Sequence, residues 1–234
     1  MAEIIVCGYP RSGNVWISRL LGDALDLRVV GLRGGRGSVA AEGFGRTGEG
    51  YVMQTHRWPG DKDKHRRVNL GAHRYQIFLL VVRDPRDVAV SVSHYWDWTL
   101  DEVLTRMIDG PGPLELPPWA VFAEAWLRED APIVRYEDLH RDAESTLARL
   151  LARLGLTATK PLAKVVKRQS FTVKRTEIER REDKAFPFGK QAQLQHLRRG
   201  GTGEWREAFT EAQAARAFRA WGPVLERMGY DGSE

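Results

Sequence analysis

Apolar residues along this chain recur in two rhythms. Unbroken runs occur at Ile4-Ile5-Val6-Cys7, Tyr51-Val52-Met53-Gln54, Gln76-Ile77-Phe78-Leu79-Leu80-Val81-Val82 and Ile133-Val134-Arg135-Tyr136. Between them apolar residues return every three or four positions. The runs read as strands and the spaced residues as helices. A helix follows the first run, marked by Trp16/Ile17, Leu20/Leu21 and Ala24/Leu25, and Leu27-Arg28-Val29-Val30 reads as a short strand behind it. After the third run Asp84 caps a helix with Pro85 at its first position and Val88, Val92 and Tyr95 on its buried side. Thr99 starts another, to about Ile108, broken by Asp109-Gly110-Pro111-Gly112-Pro113. Further helices are read at Trp119–Leu127, around Leu147, Leu150, Leu151 and Leu154 up to Gly155, at Leu162–Lys167, and after Thr210, where Phe218, Trp221, Leu225 and Met228 share one side. The run at 76–82 is apolar throughout, as a strand covered on both faces requires. Strands alternating with helices predict an α/β fold of three layers with a mostly parallel central sheet flanked by helices, in a single domain over residues 1–234. In such sheets ligands bind at the carboxyl ends of the strands, so the loops after these runs should converge.

Two stretches carry neither rhythm. Gly31–Gly50 is glycine-rich and reads as a mobile surface loop, either a lid or a plain connection. Lys174–Lys190 is highly charged, contains Phe186-Pro187-Phe188-Gly189, and reads as loop. Lys+Arg 36 against Asp+Glu 31 gives a net charge of +5, which suits an anionic ligand or an ordinary basic surface without implying nucleic acid. Cys7 is the only cysteine and reads as a buried, inert thiol. No apolar run approaches the roughly 18 residues of a membrane span, and the chain enters its first strand without a leader-like segment, so the reading is cytoplasmic with no membrane partner.

The chemistry concentrates in three loops. Gly8-Tyr9-Pro10-Arg11-Ser12-Gly13-Asn14-Val15-Trp16 joins a strand to a helix, which aims backbone N–H groups and the positive end of a helix dipole at one place. Gly8 and Gly13 have the spacing of a Walker A loop, so the architecture is P-loop-like. Asn14 and Val15 stand where that motif has lysine and the magnesium-binding hydroxyl, and the cation is Arg11 instead. The cradle is present and the magnesium ligand absent, which counts against an ATPase or kinase. The second loop, Arg83-Asp84-Pro85-Arg86-Asp87-Val88-Ala89-Val90-Ser91, offers a guanidinium and a hydroxyl that can clamp another phosphate, with Arg86 and Asp87 read as capping or surface residues. The third, Arg198-Arg199-Gly200-Gly201-Thr202-Gly203-Glu204-Trp205, suits phosphate binding and a solvated turn equally.

These residues resemble a known family, the cytosolic-type sulfotransferases that use 3′-phosphoadenosine 5′-phosphosulfate (PAPS). Gly8–Trp16 looks like their 5′-phosphosulfate loop, Arg83–Ser91 like their 3′-phosphate motif, and Arg198-Arg199-Gly200 with Gly203-Glu204-Trp205 like their C-terminal basic-glycine motif. Tyr136-Glu137-Asp138 and Ser170-Phe171 resemble segments beside the adenine, and Thr55-His56 resembles the step that carries the base. The matches come in family order from residue 4 to about 210. The resemblance implies a transferase with PAPS as donor and no metal. Arg11 would neutralise the leaving phosphate, and backbone N–H groups of Ser12, Gly13, Asn14 and Val15 would hold it. Arg83, Ser91, Arg198, Arg199 and the Gly200 N–H would hold the 3′-phosphate. Trp16, Tyr136, Ser170 and Phe171 would line the base, and His56 would take the acceptor's proton. Gln54 stands where many members have lysine and can still donate to the sulfuryl group. Arg11 replaces the commoner lysine, and Asn14 and Val15 replace two threonines. The resemblance is closer to bacterial members.

The acceptor is expected to be a small molecule, aromatic or a glycan, carrying a hydroxyl or amine. Its site is expected from Gly31–Gly50, Trp58, Tyr95-Trp96-Asp97-Trp98, the Trp119–Trp126 helix and Phe186-Pro187-Phe188. Oligomeric state is left open, with a homodimer as one option. A P-loop kinase or nucleotide hydrolase, and a non-catalytic nucleotide-binding protein, are the competing readings.

Overall fold

A computed structural model describes residues 2–32, 39–42, 47–62, 76–180, 194, 197 and 200–230. The first strand, β1 (Ala2–Cys7), leads into helix α1 (Asn14–Ala24) and then β2 (Arg28–Leu32), β3 (Val39–Glu42), β4 (Gly50–Thr55) and β5 (Gln76–Val82). Helices α2 (Pro85–Trp96), α3 (Leu100–Asp109) and α4 (Trp119–Leu127) precede β6 (Ile133–Arg135). Helices α5 (Tyr136–Arg141), α6 (Ala143–Arg153), α7 (Leu162–Arg168), α8 (Phe171–Arg180), α9 (Trp205–Ala208) and α10 (Glu211–Arg227) follow. The strands form one sheet in the order β3-β2-β4-β1-β5-β6. All pairs are parallel except β2 with β3.

Alternation along the central strands builds two cores. Ile4 and Val6 of β1 and Leu79 and Val81 of β5 pack with Ile17, Leu20 and Leu21 of α1 and Leu147 and Leu151 of α6. Ile5, Cys7, Leu80 and Val82 face the other way, against Val88 and Val92 of α2, Leu104 of α3, Phe122 of α4 and Trp221 of α10. Each face of the sheet is therefore covered by helices, which is why β5 can be apolar at successive positions. The capping readings hold. Asp84 accepts from the Arg86 N–H at 2.8 Å, and Thr99 with Glu102 and Thr210 with Gln213 form capping boxes.

Two expectations fail. Val39–Glu42, read as loop, pairs antiparallel with β2 along the sheet edge. Lys174–Arg180, read as loop, is the body of α8. Its charges alternate in sign at helical spacing, with Lys174–Glu177 and Arg175–Glu179 ion pairs each at 2.9 Å, and Ile178 is buried. Residues 181–190, including Phe186-Pro187-Phe188, lie outside the described residues, as does much of Gly31–Gly50. Among the described residues no helix is long and apolar enough to cross a membrane.

Candidate active site

β1 lies between β4 and β5, and its carboxyl end is in register with theirs: Cys7 pairs with Thr55 on one side and Leu80 on the other. Val82 in turn pairs with Arg135. The loops that begin at Gly8, His56 and Arg83, and helix α5 that begins at Tyr136, therefore leave the sheet along one edge, where diverging connections open a crevice.

The loop after β1 turns sharply. Ser12 N–H donates to the Tyr9 carbonyl at 3.2 Å, and Arg11 and Gly13 sit in the left-handed region at φ 69° and 97°. Helix α1 starts with no capping side chain, and its first internal acceptor, the Gly13 carbonyl, serves Ile17. The N–H groups of Asn14, Val15 and Trp16 are thus the ones a helix start leaves open, at the positive end of its dipole. The open N–H row therefore lies beyond Ser12, whose own N–H closes the turn. Ser12 lines a small cavity with Tyr9, Val82 and Phe122, and its buried hydroxyl has no hydrogen-bond partner among the described residues.

Asn14 is a brace. Its amide donates to the Gly8 carbonyl at 3.2 Å and to the Thr55 carbonyl at 3.1 Å, tying α1 to the ends of β1 and β4. The same Gly8 carbonyl lies 2.8 Å from Nδ1 of His56. A carbonyl only accepts, so Nδ1 carries the proton and Nε2 keeps its lone pair. Burial pushes His56 below its ordinary 6.5, against the opposing pull of that carbonyl. The result is a neutral imidazole of fixed tautomer. A Cβ on Gly8 would come within 2.7 Å of both Asn14 Oδ1 and the Val81 carbonyl, so only glycine fits this junction. Gln54 lies two residues before His56 on β4, paired in register with Val6.

Cations and rings fill the rest of the crevice. Arg11 donates from Nε to the Ser91 hydroxyl at 3.0 Å, and its guanidinium lies 4.7 Å from the Tyr95 ring centre. Arg83 is buried. It donates to the Arg11 carbonyl at 3.3 Å and the Gly201 carbonyl at 2.8 Å and lies 4.6 Å over the Tyr136 ring, and its Nε has no hydrogen-bond partner among the described residues. Tyr136 meets Trp16 edge to face at 5.6 Å and donates its hydroxyl to the Gly200 carbonyl at 2.7 Å. A Cβ on Gly13 would meet the Tyr136 ring at 2.7 Å, and one on Gly200 the Phe171 ring at 3.0 Å. Ser170 accepts weakly from the Val173 N–H at 3.4 Å, at the start of α8. The structure thus gathers Arg11, Gly13, Trp16, Arg83, Ser91, Tyr136, Phe171 and Gly200 around one crevice. Arg198 and Arg199 lie outside the described residues.

Three readings need correction. Arg86 and Asp87 are buried, at 3% and 1% exposure, and are neither simple caps nor surface residues. Arg86 forms a bidentate ion pair with Asp84, at 2.6 Å in its shorter arm, beneath the Trp205 ring. Asp87 accepts from the N–H groups of Gly203 and Trp205, and burial pushes its carboxyl up against the pull of Arg83 and these two donors. Trp119 and Trp126, expected at the acceptor site, are 2% and 0% exposed and belong to the core. Trp58, Tyr95, Trp96 and Trp98 remain half-buried near the crevice, with Trp96 and Trp98 stacked at 5.8 Å. Sequence reading also missed Glu137. Its carboxylate accepts from the Asp84 N–H at 3.0 Å and the Tyr230 hydroxyl at 2.8 Å, locking the start of α2 to the chain beyond α10.

The sulfotransferase domain family matches residues 77–229, from β5 to just beyond α10. Human sulfotransferase 2B1 is 27% identical over 164 residues, which cover 62% of this chain and 43% of that protein. Mouse sulfotransferase 2A6 is 22% identical over 240 residues, covering 90% of this chain and 80% of that protein. The chain thus spans less than half the length of the human relative. Mouse sulfotransferase SULT7A1, solved in complex with PAP, superposes with a TM-score of 0.70 at 18% identity, covering 99% of this chain and 86% of that one. Retinol dehydratase in complex with androsterone and inactive cofactor PAP gives 0.65 at 16% identity, covering 96% and 80%. These two share the fold. The family match begins after the first loop and His56.

Proposed function

The chain belongs to the sulfotransferase domain family, and on that premise we propose that it moves a sulfuryl group from PAPS to a hydroxyl or amine of a small-molecule acceptor. One observation carries the reading: donors suited to an anion lie at two ends of the same loop cluster, with aromatic rings packed against them. One end is the open start of α1 with Arg11, the other Arg83 and Ser91 with the glycines at 200–203. Trp16, Tyr136 and Phe171 supply the rings. A nucleotide with phosphates on both the 5′ and 3′ positions suits that arrangement, and the Arg83 Nε, without a hydrogen-bond partner among the described residues, is a buried donor suited to an anion. The structural relatives solved with PAP support the same donor.

The residues then divide the work. Open N–H groups at Asn14–Trp16, with Arg11, hold the leaving 5′-phosphate and spread its growing charge. Reaching that phosphate requires Arg11 to leave Ser91, which frees the hydroxyl for the 3′-phosphate. His56 Nε2 accepts the acceptor's proton as the acceptor atom bonds to sulfur and the bond from sulfur to the phosphate oxygen breaks. Gln54 donates to the transferring group. The half-buried Trp58, Tyr95, Trp96 and Trp98 favour a flat aromatic acceptor or a stacked sugar.

Thermal shift with 3′,5′-adenosine bisphosphate, AMP and ATP tests the donor directly. The bisphosphate should raise Tm well above the other two, because only it engages both ends. Equal stabilisation by ATP would sink the reading in favour of a nucleotide hydrolase.

A further inference from the structure

Asp87 has no place in that scheme, yet it is 1% exposed and charged partners surround it. It is the third residue of α2, a position from which a carboxylate normally reaches back to the N–H of the capping residue. Here the N–H of the cap, Asp84, is taken by Glu137 from another segment. Asp87 is released to point elsewhere. Oδ2 accepts from the Gly203 N–H at 2.6 Å and Oδ1 from the Trp205 N–H at 3.1 Å, across more than a hundred residues of sequence.

The segment it grips has little structure of its own. Residues 200–204 contain no regular element, Gly200 and Gly203 stand at φ 66° and 77°, and α9 is only four residues long. Its order comes from side chains just after β5 and on α2 and α5. Tyr136 holds the Gly200 carbonyl, Arg83 the Gly201 carbonyl, and Asp87 the N–H groups of Gly203 and Trp205. Arg86, fixed by Asp84, lies 4.0 Å from the Trp205 ring centre. Of these, Asp87 is the one that contributes two charge-assisted bonds and has no expected contact with a nucleotide. A buried carboxylate that satisfies two N–H groups in this way sets the backbone to within a hydrogen-bond length.

We propose that Asp87 is the positioning residue of the 3′-phosphate end. It fixes Gly200–Trp205 so that the backbone N–H of Gly200 is held in place for that phosphate. The inference rests on the donor reading above. It makes Asp87 a determinant of selectivity for a 3′-phosphorylated nucleotide, since the 5′ end is built from β1 and α1 while the two hydrogen bonds of Asp87 go to Gly203 and Trp205.

Titration calorimetry of Asp87→Asn with 3′,5′-adenosine bisphosphate and with AMP separates the possibilities. The amide keeps the volume and one acceptor but turns an NH₂ toward one of the two donors. Affinity for the bisphosphate should fall roughly 10- to 100-fold, the worth of a charge-assisted bond, while AMP affinity changes less than about threefold. Equal losses for both ligands, or no loss, would overturn the assignment. A wild-type protein that does not prefer the bisphosphate would sink the donor reading itself, which is a different result. If circular dichroism shows Asp87→Asn unfolded, Trp205→Ala decides. It sits at a half-exposed position and strips the ring from over Arg86. It should show a smaller loss confined to the bisphosphate, and an equal loss of AMP binding would overturn the proposal.

Discussion

Residues 8–16 and residues 200–205 both offer glycines and backbone N–H groups to the same crevice, but they are held in opposite ways. The first segment is fixed by the elements it joins. β1 is locked between two parallel neighbours, α1 is packed on the sheet, and the turn closes with its own Ser12–Tyr9 hydrogen bond. The second segment borrows its order from Tyr136, Arg83, Asp87 and Arg86, all far away in sequence. A site half built on regular structure needs less help from distant side chains, here Arg83 at the Arg11 carbonyl and the Tyr136 ring against Gly13. A half built on loop needs a shell of side chains to reach the same precision.

The sharpest test of this division is chemical. His56 hangs from the Gly8 carbonyl and belongs to the first half. His56→Ala should lower kcat by roughly 10²- to 10⁴-fold, the usual worth of a positioned base, and leave bisphosphate affinity within a few-fold. Steady-state kinetics together with calorimetry checks both parts. A variant that kept its kcat would remove His56 from the mechanism, and one that lost donor binding instead would erase the boundary between the halves.

Next in size is a change to backbone alone. Gly13→Ala forces a β-carbon into the left-handed region, at about 1–2 kcal/mol, and drives it into the Tyr136 ring at 2.7 Å. Gly155→Ala supplies the control: its φ is +65°, with nothing within 4 Å. Both variants should lose stability in chemical denaturation. Gly13→Ala should lose more, and should also lose nucleotide affinity, whereas Gly155→Ala should bind as the wild type does. Equal behaviour of the two would mean that the first segment is not shaped by its contact with Tyr136.

The same contrast explains what the sequence could reveal. The strand–loop–helix at 4–25 and the apolar run at 76–82 were legible because each is a local pattern with a local cause. The edge strand Val39–Glu42 was not, since its order depends on β2 and its own apolar content is slight. Helix α8 was hidden because ion pairs at helical spacing look like a solvated charge run when only composition is weighed. Asp87 reads as a cap until Glu137 is seen to have taken that role. Asn14 reads as a poor phosphate ligand until its amide is found bracing Gly8 and Thr55. Trp119 and Trp126 were misplaced for a related reason: apolar aromatics suit a core and a binding cleft equally, and only topology separates them.

The smallest expected effect concerns pH, where burial acts on both halves in the same sense, toward the neutral form. It pushes His56 below its ordinary 6.5 and Asp87 above its ordinary 3.8, the latter with Arg83 pulling down and Asp84 pushing up. An imidazole of ordinary pKa would be about one-quarter protonated at pH 7. Lowering it makes the base almost fully available there, a gain of less than about 1.4-fold. The acid limb of kcat should therefore have its midpoint below 6.5. For stability the two groups oppose each other. Below 6.5 the unfolded chain takes the His56 proton while the fold still resists it, so this contribution is intact above 6.5 and lost as pH falls toward the lowered folded value. The folded Asp87 carboxyl takes its proton before the unfolded one, so its contribution is present below 3.8 and lost as pH rises through the raised value. Profiles of kcat and of unfolding free energy, for wild type and His56→Asn, resolve them: the substitution should remove the loss of stability just below 6.5. A wild-type kcat limb centred at or above 6.5 would mean that the pull of the Gly8 carbonyl on the Nδ1 proton outweighs burial, and that His56 is not held as a neutral base at the end of β4.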